Sequence, residues 1–379
     1  MFWAILDKAF YDVGYESVRA NIEFDHATQI KWSPDSKAFI VSIETANTLQ
    51  VYKVGKKSDG SLGNFEMILN FPSAHKADII NIGIACNGHF IMSCSSDTSI
   101  IIWDLKGQRQ RNCCEIDHCA VLTFLVLSSS KQWPPMNLVQ VQKNIKIIWH
   151  LVEGKVLSTI DTLHINNYYA CVSPCGRFVA SSGFTPDVRV WEVCFSKTGE
   201  FKEVKRAFEL KGHSSGIHHF SFSNDSSRML TTSKDGTWKL WDTNIEYTKG
   251  QEPYLLKTCS HGINSKCVCA LSPDGRTIAI ASLSAADVFF YSAVTGELQA
   301  ELKEIHPEPV RCLEFSPDGQ YLVVAVGRHI RVFHNLPGFQ NIILGLEEAK
   351  KNATNASMRD RLQTQIEEAK AVLNSFGKS

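Results

Sequence analysis

FELKGHSSGIHHFSFSNDSSRMLTTSKDGTWKLWDTNIEYTKGQEPYLLKTC, residues 208–259, contains four short apolar segments separated by turns. They read IHHFSFS (217–223), RMLTTS (228–233), TWKLWDT (237–243) and YLLKTC (254–259). The apolar positions alternate or run continuously and stop at Gly, Ser, Asn or Asp, a period that suits strands and not helices. The first two segments are joined by Ser-Asn-Asp-Ser, one version of a turn that elsewhere reads Ser-Pro-Asp-Gly. Proline presets φ at the second position of such a turn, and Asp, Asn or Gly tolerates the remaining angles. Each copy is therefore a β-hairpin.

The turn recurs at Ser33, Ala85, Ser173, Ser223, Ser272 and Ser316, at spacings of 52, 88, 50, 49 and 44 residues. Four spacings fall near the ~40–50 residues of a four-stranded propeller blade, and one is nearly double. A third strand closes most copies: IIIWDL (100–105), VRVWEV (188–193), VFFYSA (288–293) and IRVFHN (330–335). The Trp-Asp endings and the period resemble the WD-repeat family. That resemblance implies an all-β propeller of six recognisable blades, with a degenerate or incomplete seventh. It also implies a hydrogen-bonded set of His213, Ser233, Asp235 and Trp241 linking outer loop, second strand and third strand. An aspartate in a buried turn needs donors, which His and Trp N–H groups supply. His75, Ser95, Asp97 and Trp103 stand at the same spacing in an earlier copy.

Longer stretches are similar to one endoplasmic-reticulum-associated branch of that family, the transducin beta-like proteins. They are SPCGRFVASSGFTPDVRVWEVCF (173–195), FELKGH (208–213), SKDGTWKLWDT (233–243), EPYLLKT (252–258) and VFHNLPG (332–338). The resemblance implies a non-enzymatic interaction scaffold at the cytosolic face of the endoplasmic reticulum. Its implied partners are an ER stress-sensing initiation-factor kinase of the unfolded-protein response and translation factors; the alternative is an RNA- or ribosome-associated module. No contact motif of the branch maps onto residues here, so the sequence assigns no partner-binding residue.

Two departures from the branch set further expectations. Its members carry a membrane anchor and a first blade before the stretch matching Val18–Asp25, and here the residues before Val18 take their place. The location becomes cytoplasmic if the anchor is missing. Segment 1–25 reads as a remnant outer strand whose inner partners are absent, and the ring is expected to be open or strained beside it. The second departure is an insertion at 109–155, which explains the doubled spacing. It has no Asp-Gly-type turn before IKIIWHLVEGK (145–155), and Trp133-Pro134-Pro135 interrupts any ladder. It reads as an irregular excursion, with a degenerate blade carrying Trp149 as the alternative. The propeller then spans 26–336, and 337–379 forms a helical tail. Within the tail Leu362, Ile366, Ala369, Leu373 and Phe376 make a helical stripe that Asn355 or Ser357 caps.

Composition narrows the function classes. The 379 residues carry 39 basic and 39 acidic side chains, and this balance argues against bulk nucleic acid or anionic membrane as the main partner. No apolar run reaches the ~20 residues of a membrane span. The 12 cysteines are scattered singly through apolar segments and fit buried thiols better than a disulfide framework. Cys113, Cys114, His118 and Cys119 form a dense thiol–imidazole cluster, but no second pair stands at zinc spacing. The chain has no Walker loop, Gly-x-Ser-x-Gly elbow or His-Glu-x-x-His helix, so no catalytic, metal or cofactor residue is assigned and no small-molecule substrate is expected. His218 and His219 point to opposite faces of one strand. The cations Lys197, Lys202, Lys205, Arg206 and Lys211 are interleaved with Glu200, Glu203 and Glu209 and read as a solvated edge, with RNA contact as the alternative.

Overall fold

The computed structural model describes residues 17–376 apart from 23–24, 57–61, 86–87, 98, 114–120, 127–135, 142–144, 151–154, 163–165, 198–199, 264 and 354. Its strands, in chain order, group into antiparallel sheets of four. The strand β1 (Ser17–Asn21) is followed by β2 (Ala27–Trp32), β3 (Ala38–Ile43), β4 (Thr48–Lys56) and β5 (Leu62–Asn70), the last four forming one sheet. The next sheet is β6 (Ile79–Ile84), β7 (Phe90–Ser95), β8 (Ile100–Asp104) and β9 (Arg109–Cys113). A third comprises β10 (Val121–Val126), β11 (Met136–Val141), β12 (Ile145–His150) and β13 (Lys155–Asp161). A fourth comprises β14 (Asn167–Val172), β15 (Phe178–Gly183), β16 (Asp187–Phe195) and β17 (Phe201–Lys211). The fifth is β18 (Ile217–Phe222), β19 (Arg228–Ser233), β20 (Thr237–Asp242) and β21 (Tyr254–Ser260). The sixth is β22 (Cys267–Leu271), β23 (Thr277–Ser282), β24 (Val288–Ser292) and β25 (Leu298–Leu302). The last sheet, β26 (Val310–Phe315), β27 (Tyr321–Val326) and β28 (His329–His334), takes β1 as its fourth strand.

These are the blades of a propeller, seven among the described residues. Each blade's first strand lies beside the first strand of the next, from β2 through β6, β10, β14, β18, β22 and β26 back to β2. Middle strands are buried on both faces, as the continuous burial of β23 and β27 shows, and their β-branched and small residues suit that position. The ring abolishes long exposed edges at its closure.

Two expectations need correction. Segment 109–155 is not an irregular excursion: β9 completes the second blade, and β10–β13 make a full four-stranded sheet, antiparallel throughout, with one register shift between Ile148 and Trp149 where β12 meets β13. The sequence hid this blade because its hairpin lacks the Asp-Gly turn that marks the others. Trp133-Pro134-Pro135 and the side chain of Trp149 lie outside the described residues, though Trp149 pairs with Val156 through the backbone. Nor is the ring open at the N-terminus. The strand β1 pairs with β28 from Ser17↔Phe333 to Asn21↔His329, so its inner partners are the C-terminal strands of the chain. Distance along the chain concealed this pairing: Arg19 and His329, which meet across it, are 310 positions apart.

That closure carries a pH dependence. Asn21 Oδ1 lies 2.8 Å from Arg19 Nε and 2.8 Å from His329 Nδ1, and Arg19 Nη2 lies 3.0 Å from His329 Nε2. His306 stacks edge-on at 4.7 Å, and Glu308 pairs with His26 at 3.3 Å on the neighbouring loop. Burial, then Arg19, His306, Arg331 and Arg328, push the His329 imidazole down from 6.5 to about 4. A depressed histidine means that the unfolded chain holds a proton the folded chain rejects. The stability this site contributes is full above 6.5 and is lost as pH falls toward about 4. Acidification is expected to lower the protection factors of β1 amides, that is exchange relative to the unstructured rate at the same pH, before those of β27, and His329→Gln to flatten that response; an identical pH response in the variant would contradict it.

The hairpin turns share one lock. Ser33, Ser223, Ser272 and Ser316 each donate through Oγ to the aspartate two residues on, at 2.5–2.7 Å. Each also accepts the N–H five residues on, at 2.8–3.0 Å. Ser36 and Ser226 adopt φ of 58° and 59° where sister turns use glycine, and their hydroxyls accept N–H groups from the neighbouring turns at Asp318 and Cys175. At Ser173 the aspartate position is held by the exposed Cys175, whose Sγ lies 3.1 Å from Ser173 Oγ. A carboxylate accepts more strongly than a thiol, so Cys175→Asp should raise stability by about 0.5–1.5 kcal/mol. An unchanged or lower melting temperature would contradict that reading.

The tail holds two helices rather than one. Helix α1 (Leu336–Asn352) starts where Asn335 Oδ1 accepts the Gly338 N–H at 3.0 Å, with Pro337 in its first turn. Buried Asn341 donates to Thr277 Oγ1 at 2.9 Å and exchanges amide hydrogen bonds with Gln299, fixing α1 on the sixth blade. Helix α2 (Ala356–Phe376) carries the expected stripe: Ile366 is buried and Leu373 packs on the blade core. Asn355 Oδ1 accepts the Ser357 N–H at 3.0 Å, and Lys370 joins α2 to Glu347 of α1 at 2.9 Å. Leu336-Pro337-Gly338 and Gly345 obscured α1 in the sequence.

Candidate protein-docking face

Histidine–tryptophan sets tie the second and fifth blades internally, in each case through a strand hydroxyl other than the expected one. In the fifth blade Trp241 Nε1 donates to Thr231 Oγ1 at 3.0 Å, and Thr231 Oγ1 lies 2.8 Å from His213 Nε2. His213 Nδ1 lies 2.9 Å from Asp235 Oδ2, and Thr237 Oγ1 donates to Asp235 Oδ1 at 2.6 Å. A neutral imidazole satisfies every link, donating from Nδ1 to the carboxylate and accepting the threonine O–H at Nε2. Ser233 sits beside this relay: its hydroxyl donates to the carbonyls of Ser215 and Gly216 and accepts the Asp235 N–H at 3.2 Å. Burial alone would raise the Asp235 carboxyl, but the Thr237 hydroxyl and the N–H groups of Ser214 and Thr237 outweigh it and hold it well below its ordinary value.

The second blade repeats the arrangement through Ser93. Trp103 Nε1 donates to Ser93 Oγ at 2.8 Å, and His75 Nε2 lies 2.6 Å from the same oxygen. Ser99 Oγ stands between His75 Nδ1 (2.7 Å) and Asp97 Oδ1 (2.5 Å), while Ser95 donates to the Ala77 carbonyl at 2.7 Å. The sequence reading thus missed Thr231, Thr237, Ser93 and Ser99. The available signal was strand alternation: Thr231 and Ser93 lie two residues before Ser233 and Ser95, on the same face of the strand.

The rigid ring surrounds a channel with a cavity of about 750 Å³. Inside it Lys31 Nζ pairs with Glu314 Oε2 at 3.5 Å. His219 lies against Tyr169, ring centroids 3.8 Å apart, and its Nδ1 is 3.4 Å from Cys269 Sγ. This contact is not an activated thiol. Burial and Lys31 push His219 down to about 3, and burial pushes the Cys269 thiol well up, so both are neutral rather than a thiolate–imidazolium pair. Cys267 and Cys269 are both buried, packed on one face as the strand period requires. His218 faces the other way, near Tyr168 at the channel mouth. Among the described residues no group of His, Cys, Asp and Glu could hold a metal ion; Cys114, His118, Cys119 and the side chain of Cys113 lie outside them. Among the described residues no helix is long and apolar enough to cross a membrane.

Among the described residues, the loops that precede inner strands and those that join second to third strands share one face of the ring. There Phe184 is 59% exposed and Tyr168 41%. Phe184 is exposed but fixed: its N–H donates to the Asn166 carbonyl at 3.1 Å, and a Cβ on Gly216 would stand 3.0 Å from its carbonyl oxygen. On the blade rim, three of the four basic residues of β17 are paired with acids. Lys205 meets Glu203 at 3.0 Å, Lys211 meets Glu209 at 3.0 Å, and Arg206 also binds Glu209.

Comparison with known proteins agrees with this architecture. The WD domain, G-beta repeat family matches residues 66–104, 204–242 and 296–334, each span joining one blade's outer strand to the first three strands of the next. Human transducin beta-like protein 2 is 44% identical over 373 residues, covering 98% of this chain and 72% of its own. The mouse protein of that name is 42% identical over 372 residues, covering 98% and 73%. Autophagy-related protein 16 of Arabidopsis thaliana is more distant, 24% identical over 275 residues, covering 70% of this chain and 46% of its own.

Proposed function

The chain belongs to the transducin beta-like protein 2 family of WD-repeat proteins, and from that membership we propose that it is a non-enzymatic docking scaffold of the endoplasmic-reticulum stress response. It works at the cytosolic face of that membrane, in association with the stress-sensing initiation-factor kinase and with translation factors. The observation that carries the docking role is the loop face of the ring, where Phe184 and Tyr168 expose large aromatic surface on a backbone fixed by its neighbours. Exposed aromatic groups held rigid lose little entropy on binding and make effective anchors. The enzyme reading has the His219–Cys269 contact to build on, and both members are neutral there. The RNA reading rests on the β17 cations, three of which are already matched to glutamates.

Affinity purification of the intact protein from stressed cells, with and without RNase, tests the proposal. The kinase should be retained after RNase treatment and lost with Phe184→Ala/Tyr168→Ala. Loss of every partner on RNase treatment would favour the RNA-associated reading instead.

A further inference from the structure

Four consecutive inner strands shape one side of the channel mouth. Tyr168 is the second residue of β14, His218 the second of β18, Lys266 precedes β22, and Arg311 is the second residue of β26. Phe184, in the loop after β15, lies beside the start of β18: a Cβ on Gly216, two residues before His218, would stand 3.0 Å from its carbonyl oxygen. Among the described channel-lining residues the charged side chains are Lys31, Lys266, Arg311 and Glu314. Deep in the channel Lys31 is matched to Glu314 at 3.5 Å. That leaves Lys266 and Arg311 at the mouth, both exposed and in none of the ion pairs found among the described residues. A third cation, Lys234, stands on the adjoining turn between β19 and β20.

His218 reports on the same field. Its Nδ1 is buried without a hydrogen-bond partner. Burial, then Lys266, His261 and Lys234, hold the imidazole below its ordinary value, and no carboxylate opposes them. Among the described lining residues, the unmatched charges at the mouth are therefore the cations Lys266 and Arg311, set beside exposed Tyr168, and they attract anions.

We propose that this arc of the channel mouth docks an acidic peptide segment of a protein partner, its carboxylates meeting Lys266 and Arg311 and a bulky apolar side chain lying on Tyr168 and Phe184. Charge complementarity selects the acidic class. The apolar surface beside the cations selects a peptide carrying an aromatic or large aliphatic residue over a plain polyanion. This deepens the docking reading and rests on it, by naming the chemistry that the loop face accepts.

Fluorescence anisotropy on the full chain tests it, with a labelled repeat of Glu-Glu-Phe as probe. The controls are Lys-Lys-Phe and Glu-Glu-Ser repeats of the same length and a single-stranded RNA of matched charge. The Glu-Glu-Phe peptide should bind, and should weaken as salt is raised. Lys266→Glu/Arg311→Glu should cost at least about tenfold in affinity, as losing two charge contacts implies, with an unchanged circular dichroism spectrum. Phe184→Ala should reduce binding while keeping its salt dependence. Failure of the Glu-Glu-Phe peptide to bind, equal binding of the lysine control, an unaffected double variant, or preference for the RNA would each overturn the inference. The kinase pull-down separates the two levels: retention of the kinase by the charge-reversed variant defeats the acidic-peptide inference and leaves the docking role standing.

Discussion

Deleting residues 114–161 should abolish cooperative folding. The cut removes β10–β13, a complete blade whose first strand lies between β6 and β14. Without it those two strands face a gap, and the outer strand β1 can no longer close a ring of the same curvature on β28. Losing the packing of two blade interfaces exceeds the roughly 5–15 kcal/mol by which a domain of ordinary stability survives. The deleted chain is expected to aggregate or to lose its sharp melting transition, because unpaired strand edges template association. Calorimetry and size-exclusion chromatography read both outcomes. A monodisperse product that melts as sharply as the full chain would show that 114–161 is dispensable.

Trp241→Ala should cost about 3–5 kcal/mol, the range for truncating a large aromatic in a packed core. Trp241 is 3% exposed, fills the cluster between the fourth and fifth blades, and carries the N–H that starts the relay through Thr231 to His213 and Asp235. A paired test isolates the relay. Thr231→Val keeps the shape but strands Trp241 Nε1 and His213 Nε2, at about 1–3 kcal/mol for each orphaned group. Ser233→Ala should cost less, since its hydroxyl serves carbonyls outside the relay. Denaturant unfolding of the three variants gives the order. A Ser233 variant that costs more than the Thr231 variant would restore the set inferred from the family pattern.

The legible and illegible parts of this protein divide along physical lines. A turn such as the one at Ser272 is local: Ser, Pro, Asp and Gly lie within four residues and each has its own conformational reason, so the hairpin is readable where it stands. The same holds for the α2 stripe around Ile366, which depends only on helical period. Ring closure is not local. The pairing of Val18 with Val332 is decided by the number of blades between them, and that number was obscured at β10–β13, where apolar strands lack the turn signature. The relay failed at a finer scale. Both Thr231 and Ser233 face the same side of β19, and only the height of the His213 ring along the strand decides which hydroxyl it reaches. The channel-mouth arc was invisible for a third reason: Tyr168, His218, Lys266 and Arg311 are spread over four blades, and only the closed ring places them side by side.

Everything proposed for the loop face depends on that ring being closed. Amide hydrogen exchange of the intact chain at neutral pH measures it at the seam. The β1 amides that pair with β28, from Ser17 to Asn21, should exchange as slowly as those of an outer strand such as β21, and the amides of β10–β13 should be protected with them. Exchange of the β1 amides at the rate of an unstructured peptide, with β28 exposed on its outer edge, would contradict the closed seven-bladed ring.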